Sequence, residues 1–225
     1  MADIRTRLYE VLFVGVLILV ATAVIYLDVI VFDSKMSETS LTQIYQGVLL
    51  LLCFFLFLLA ANRSEQHKGY CSAWAVLFLW MFIRESDGLL DSIKHGFWVY
   101  PATFVALLGA LFLVGQRNAI GASASVHMKH PSFWVLLLGM SELVFFSRLF
   151  GSGLLWDHVI DGDTGSLVKA VVQEGTELIS YTFIVIGAAF ATKSELSDRN
   201  WPVRNATVPS DRRILEQGAP RNPAE

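Results

Sequence analysis

Six long apolar runs occupy most of this chain, and they constrain its fold more than any other feature of the sequence. A helix needs about 20 mostly apolar residues to cross a lipid bilayer. The runs at 8–32, 41–61, 70–90, 97–115, 131–154 and 167–192 meet that requirement. Only 16% of the residues are charged, whereas soluble domains carry about 25%. The sequence therefore predicts an all-α membrane protein, a six-helix transmembrane bundle with short loops.

The distribution of lysine and arginine predicts the orientation of this bundle. If the N-terminus is cytoplasmic, 12 of the 17 basic residues fall on the cytoplasmic side, and only Lys35, Lys94 and Lys169 fall outside. Arg84 and Arg148 lie within the predicted spans. Because short cytoplasmic loops of membrane proteins are enriched in Lys and Arg, we expect both termini to be cytoplasmic. The expected location is a bacterial inner (plasma) membrane.

The two ends of the chain have features of their own. The first run follows Arg5 and Arg7 and contains a small-x-small sequence at 21–23, as cleaved signal peptides do. It also carries Glu10 and continues to residue 32, which favours an uncleaved span, although the sequence leaves cleavage open. Residues 193–225 are polar and rich in proline. We expect this segment to be a disordered cytoplasmic tail that could recruit a cytoplasmic protein.

Charged residues inside the spans are the main functional signal, because each needs a partner, water or a binding site. With a helical rise of 1.5 Å per residue, Arg84, Glu85, Arg148 and Glu174 all fall about 10 Å inside the outer ends of their spans. Glu142 and Glu177 fall about one turn deeper. The predicted buried polar network consists of Arg84, Glu85, Asp87, Asp91, Glu142, Arg148, Gln173, Glu174, Glu177 and Tyr181.

These residues belong to the third, fifth and sixth predicted spans. Residues of one helix that recur every three or four positions share a face, so we expect these three spans to pack together around the network. The first, second and fourth spans are then expected to be mainly lipid-facing support. Asp28 and Gln46, near the outer ends of the first and second spans, are further candidates for the network.

The charges of this layer do not balance, because two arginines face four glutamates. Unneutralised charge is costly at low dielectric. Protonated glutamates, a bound cation or access of water would each reduce that cost. A speculative metal site combines Glu142, Glu174 and Glu177 with His95 and His158. The alternative is that the charged residues are structural ion pairs and that both histidines are polar residues of the membrane interface.

No established catalytic or nucleotide-binding motif accompanies these residues. The sequence therefore favours a non-catalytic membrane component, such as a sensor, complex subunit or anchor, with a buried Arg/Glu network in the outer half. One alternative is a cation- or proton-linked transporter or channel. Another is a metal-assisted enzyme that acts on a lipid or lipid-linked substrate at the outer leaflet. Membrane lipid and a second copy of the chain are candidate partners, and nucleic acid is not expected. The sequence identifies no cofactor.

Overall fold

The computed structural model describes residues 2–34, 40–156, 158–160 and 163–197, and this part of the chain contains helices and no strands. Helices α1 to α5 are Ala2–Tyr26, Leu41–Arg63, Lys68–Glu85, Asp87–Asp91 and Val99–Gly115. Helices α6 to α10 are Arg117–His127, Pro131–Ser141, Ser147–Phe150, Gly153–Trp156 and Asp163–Ser197. Two π-helical turns complete the fold: Leu27–Val31 extends α1, and Glu142–Phe146 joins α7 to α8.

In the part of the chain that the structure describes, four helical segments are long and apolar enough to cross a membrane: Ile4–Val31, Leu41–Arg63, Pro131–Phe150 and Gly165–Lys193. A fifth is added if α5 and α6, which are bent by 88° relative to each other, count as one span. These helices indicate a membrane protein. Helix α3 is less apolar than these segments, because its 18 residues include the charged side chains of Lys68, Arg84 and Glu85.

The structure changes several of the predicted boundaries. The third predicted span, 70–90, divides at Ser86, whose side chain donates a hydrogen bond back to the carbonyl of Phe82. Helix α3 ends just before this residue, and the short α4 follows it. The candidate span Gly165–Lys193 lies close to the sixth predicted span, 167–192, and its helix α10 extends beyond it at both ends, from Asp163 to Ser197. Most of the predicted polar tail, residues 198–225, lies outside the described residues.

Helix α6 was missed, since the sequence predicted a loop between residues 115 and 131. Only one side of this helix, which carries Ser123 and His127, is buried. The buried side is held against the start of α3, where the ring of His127 stacks on Tyr70 at 4.3 Å between centroids and meets His67 edge-on at 4.9 Å. Ser123 also donates a hydrogen bond to the carbonyl of Gln66. This docking turns the chain sharply after α5.

Helix α2 is the centre of the bundle, and the prediction that it is lipid-facing support is wrong. It packs against α3 on one side and α10 on another, while α7 packs on α10. Gln46, Leu50, Cys53 and Phe57 of α2 are all fully buried. The Phe57 ring stacks on Phe78 and Trp74 of α3 at 5.8 and 5.9 Å. Beyond its first two turns, α2 is almost uniformly apolar, so hydrophobicity does not distinguish the faces that meet protein from those that meet lipid.

Candidate functional site

A cavity of about 420 Å³ lies between α3, the α7–α8 segment and α10, and it gathers much of the predicted polar network. One part of its wall is apolar and is formed by Leu77, Trp80, Met81, Met140, Leu143 and Val144. The other part is polar and is formed by Arg84, Glu85, Ser147, Arg148, Glu177 and Tyr181. The cavity is therefore amphipathic, with charged groups at one end and aliphatic or aromatic side chains along the rest.

Glu85 connects three helices through its carboxylate. The hydroxyl of Tyr181, on α10, donates a hydrogen bond to Glu85 Oε2 at 2.9 Å. The amide of Gln43, on α2, donates to Glu85 Oε1 at 3.2 Å and to the backbone carbonyl of Glu85 at 3.0 Å. Because Glu85 is the last residue of α3, these bonds hold the end of that helix against both neighbours.

Glu177, on α10, is held by side chains of α8 and of its own helix. Ser147 Oγ donates a hydrogen bond to Glu177 Oε1 at 2.6 Å, and Gln173 Nε2 donates to the same oxygen at 3.2 Å. The π turn at Glu142–Phe146 precedes Ser147. A π turn inserts an extra residue into a helix and is frequent at functional sites. Ser147 is buried against α10 after this turn, whereas Ser141, before it, donates only to the Leu137 carbonyl.

The two arginines of the cavity are in different situations. Arg84 forms an ion pair with Asp87 at 2.8 Å, and its guanidinium lies 5.7 Å from the centroid of the Trp98 ring. Arg148, on α8, forms no ion pair or hydrogen bond with any residue in the part of the chain that the structure describes. The cavity therefore presents one guanidinium that forms no direct ion pair among the described residues, together with the carboxylates of Glu85 and Glu177.

Glu174 is turned away from the cavity and faces α1 and α2. The amide of Gln46 donates a hydrogen bond to Glu174 Oε2 at 3.3 Å and to its backbone carbonyl at 3.2 Å. The nearly inaccessible carboxylate of Asp28 accepts the backbone N–H groups of Leu41 and Thr42 at 3.3 and 2.8 Å. Asp28 and Gln46 thus belong to a second polar group, which is separate from the cavity.

Other predicted site residues lie elsewhere. Glu142 begins the π turn and does not line the cavity. Asp91 accepts the backbone N–H of Gly96 at 3.0 Å and lies 3.3 Å from the fully exposed ring of His95. His158 is exposed and contacts the carbonyl of Leu154.

The speculative metal site is not assembled in the described residues. No group of three or more His, Cys, Asp or Glu side chains lies close enough together there to hold a metal ion. Glu174, Glu177 and Glu85 do lie within electrostatic range of one another. The two histidines are not near them, because His95 and His158 belong to the exposed connections after α4 and α9.

Sequence reasoning missed two polar contributors, Gln43 and Ser147. Gln43 and Gln46 are three residues apart in an otherwise apolar run, and this spacing places both on one side of a helix. That signal could have identified α2 as a partner of the acidic layer. Ser147 gave no such signal, because only the π turn directs it to Glu177.

No family model, curated protein or solved structure matches this chain.

Proposed function

We propose that this chain is a non-catalytic membrane component that binds a phosphate-bearing amphiphile, such as an anionic phospholipid, in the cavity between α3, α7–α8 and α10. The observation that carries the proposal is Arg148, a guanidinium on the cavity wall with no anionic partner among the described residues. Arg148 is exposed and lies two residues before the end of the Pro131–Phe150 segment, where its guanidinium is accessible to an anionic head group at the membrane interface. Guanidinium matches phosphate geometrically and binds it through two parallel hydrogen bonds.

The shape and lining of the cavity favour an amphiphile over a free anion. Its volume of about 420 Å³ lies within the usual range of roughly 300–1,000 Å³ for ligand pockets. Leu77, Trp80 and Met81 extend the α3 wall away from the charged end, and Met140 and Val144 line the facing wall. With its phosphate at Arg148, a bound amphiphile would place its hydrocarbon chain against these apolar walls, where Met side chains adapt to varied shapes.

The two alternative functions have less support. A transporter needs polar lining on both halves of the membrane, yet Phe57, Phe78 and Leu178 are fully buried in the apolar core of the bundle. A metal-assisted enzyme needs a cluster of ligands, which the described residues do not form.

Replacement of Arg148 should abolish the preference for phosphate. We expect Arg148→Gln to weaken binding of dihexanoyl phosphatidylglycerol at least tenfold, because glutamine lacks the charge that compensates the phosphate. The measurement is a native mass spectrometry titration of the detergent-purified protein. Lys94→Gln is the matched control, since it removes one exposed positive charge from the connection after α4, outside the cavity.

The same titration separates the sources of phosphate. Inorganic phosphate should compete only weakly, because it cannot occupy the apolar wall. Equal affinity for inorganic phosphate would mean that the site binds a free anion. Equal losses in Arg148→Gln and Lys94→Gln, or unchanged binding in both, would contradict the proposal.

The topology we propose has six spans, with α3 and α5 crossing as well as the four longest segments, and both termini cytoplasmic in a bacterial inner membrane. Support comes from the basic inner loops and from the packing of α3 between α2 and α5. We expect alkaline phosphatase fused after Gly96 to be active outside and green fluorescent protein fused after Ser197 to fluoresce inside. If α3 does not cross, the fusion after Gly96 will be inactive.

A further inference from the structure

The second polar group, formed by Asp28, Gln46 and Glu174, lies where α1, α2 and α10 meet, and the proposed phosphate site does not use it. Asp28 and Gln46 are almost completely buried, at 1% and 0% exposed. Asp28 belongs to the π turn at Leu27–Val31. The carboxylates of Asp28 and Glu174 are close enough to repel each other. The group thus combines two buried residues, Asp28 and Gln46, with the partly buried Glu174.

One atom of this group lacks the partner that burial demands. Gln46 Oε1 is buried and has no hydrogen-bond partner among the described residues. Rotating the amide by 180° would not satisfy it, because Gln46 Nε2 already donates to the backbone carbonyl and to Oε2 of Glu174. That rotation would place oxygen against two acceptors. Leaving a buried acceptor without a partner is costly, so this oxygen indicates a missing cation or hydrogen-bond donor.

The local charge identifies the kind of group that is missing. The Asp28 carboxylate accepts two backbone N–H groups at the start of α2, where the helix dipole offsets much of its negative charge. Glu174 receives only the Gln46 amide as a side-chain donor. No lysine or arginine in the described chain forms an ion pair with either carboxylate. In its ionised form, Glu174 therefore carries a negative charge that no lysine or arginine of the described chain compensates by an ion pair.

We propose that a sodium ion binds between α1, α2 and α10, with Gln46 Oε1 and the carboxylates of Asp28 and Glu174 as ligands. All three ligands are oxygen atoms, which hard cations prefer. A single positive charge matches the charge that remains. A water molecule would satisfy Gln46 Oε1 and leave the Glu174 charge in place. Sodium sites of other membrane proteins also lie where a membrane helix departs from regular geometry, as α1 does at its π turn.

The test is the thermal stability of the purified wild-type protein in NaCl, KCl and choline chloride at equal ionic strength. A ligand that binds only the folded state raises the Tm with its concentration, by about 5–10 °C at 100 times the Kd for a chain of this size. We expect a saturable rise specific to sodium. Gln46→Leu, which deletes the orphan oxygen while keeping the side chain apolar and similar in size, should abolish it.

Gln43→Leu is the matched control, because Gln43 is also an α2 glutamine that donates to a glutamate yet has no orphan oxygen. The sodium-dependent rise should persist in this variant. If Gln46→Leu does not fold, the site is tested by equilibrium binding of radioactive sodium to the wild type and to Glu174→Gln. The Glu174→Gln variant should bind sodium at least tenfold more weakly than the wild type. A Tm that does not distinguish sodium from choline, or a sodium effect retained in Gln46→Leu, overturns the site.

Discussion

Replacing Gly187 with alanine should lower the stability of the bundle by about 3 kcal/mol, the upper end of the usual cost of overpacking. A Cβ at this position would lie 2.5 Å from the backbone nitrogen of Leu136 and 2.7 Å from its Cα. These are main-chain atoms of α7, so no rotation of a side chain can relieve the clash. Thermal unfolding of the detergent-purified variant should show a Tm lowered by about 6–12 °C.

Gly175→Ala is the matched control, because it lies on the same helix and its Cβ would meet only Ile25 Cδ1, at 3.7 Å. Alanine is also the better helix former, so this variant should match or exceed the wild-type Tm. Gly139 provides an independent check, since a Cβ there would lie 2.8 Å from the backbone oxygen of Ser180. Equal Tm values for Gly187→Ala and Gly175→Ala would show that α7 and α10 do not pack this closely.

Replacing Glu85 with leucine should also cost about 3 kcal/mol. The change removes the acceptor of the Tyr181 hydroxyl and of one Gln43 amide bond. The Tyr181 side chain is buried, and a buried donor left without an acceptor costs about 1–3 kcal/mol. The contact between the end of α3 and both neighbouring helices is weakened at the same time. The expected measurement is again a lowered Tm, together with faster proteolysis at the connection between α3 and α5.

Glu85→Gln separates the hydrogen bonds from the charge. The glutamine side chain keeps one carbonyl oxygen as an acceptor. The loss of stability in Glu85→Gln should therefore be less than half of the loss in Glu85→Leu. Tyr181→Phe, which removes only the hydroxyl, should cost about 1 kcal/mol. If Glu85→Leu, Glu85→Gln and the wild type unfold at the same temperature, Glu85 does not hold the helices together. Its position in the cavity would then be explained by ligand binding alone.

The sequence predicted part of this arrangement for a clear physical reason. A charged residue in an apolar run is costly in lipid, so Arg84, Glu85, Arg148 and Glu177 could be recognised one by one. The similar depths of Arg84, Glu85 and Arg148, and the position of Glu177 about one turn deeper, follow from helical rise alone. The structure brings all four to one cavity wall. It places Glu174 with Gln46 instead, because the two sides of α10 face different helices.

The apolar residues carried less information about packing. In a membrane, the acyl chains are as apolar as leucine, so hydrophobicity does not tell which face of a helix meets protein and which meets lipid. The central place of α2 therefore could not be predicted from its run of leucines and phenylalanines. The close contact of α7 with α10 depends on Gly139 and Gly187, and a glycine in the sequence does not reveal which backbone approaches it.

The amino-acid sequence by itself determined that the chain forms long apolar helices and which ionisable groups they carry, because length and hydropathy are local properties. Only the tertiary structure decided which of those groups meet. It turned α6 away from α5 and buried Gln46 Oε1 without a hydrogen-bond partner among the described residues. It also placed Arg148 on the cavity wall without an ion pair to any described residue. These outcomes depend on helix packing and on a π turn, and both arise from contacts between residues far apart in the chain.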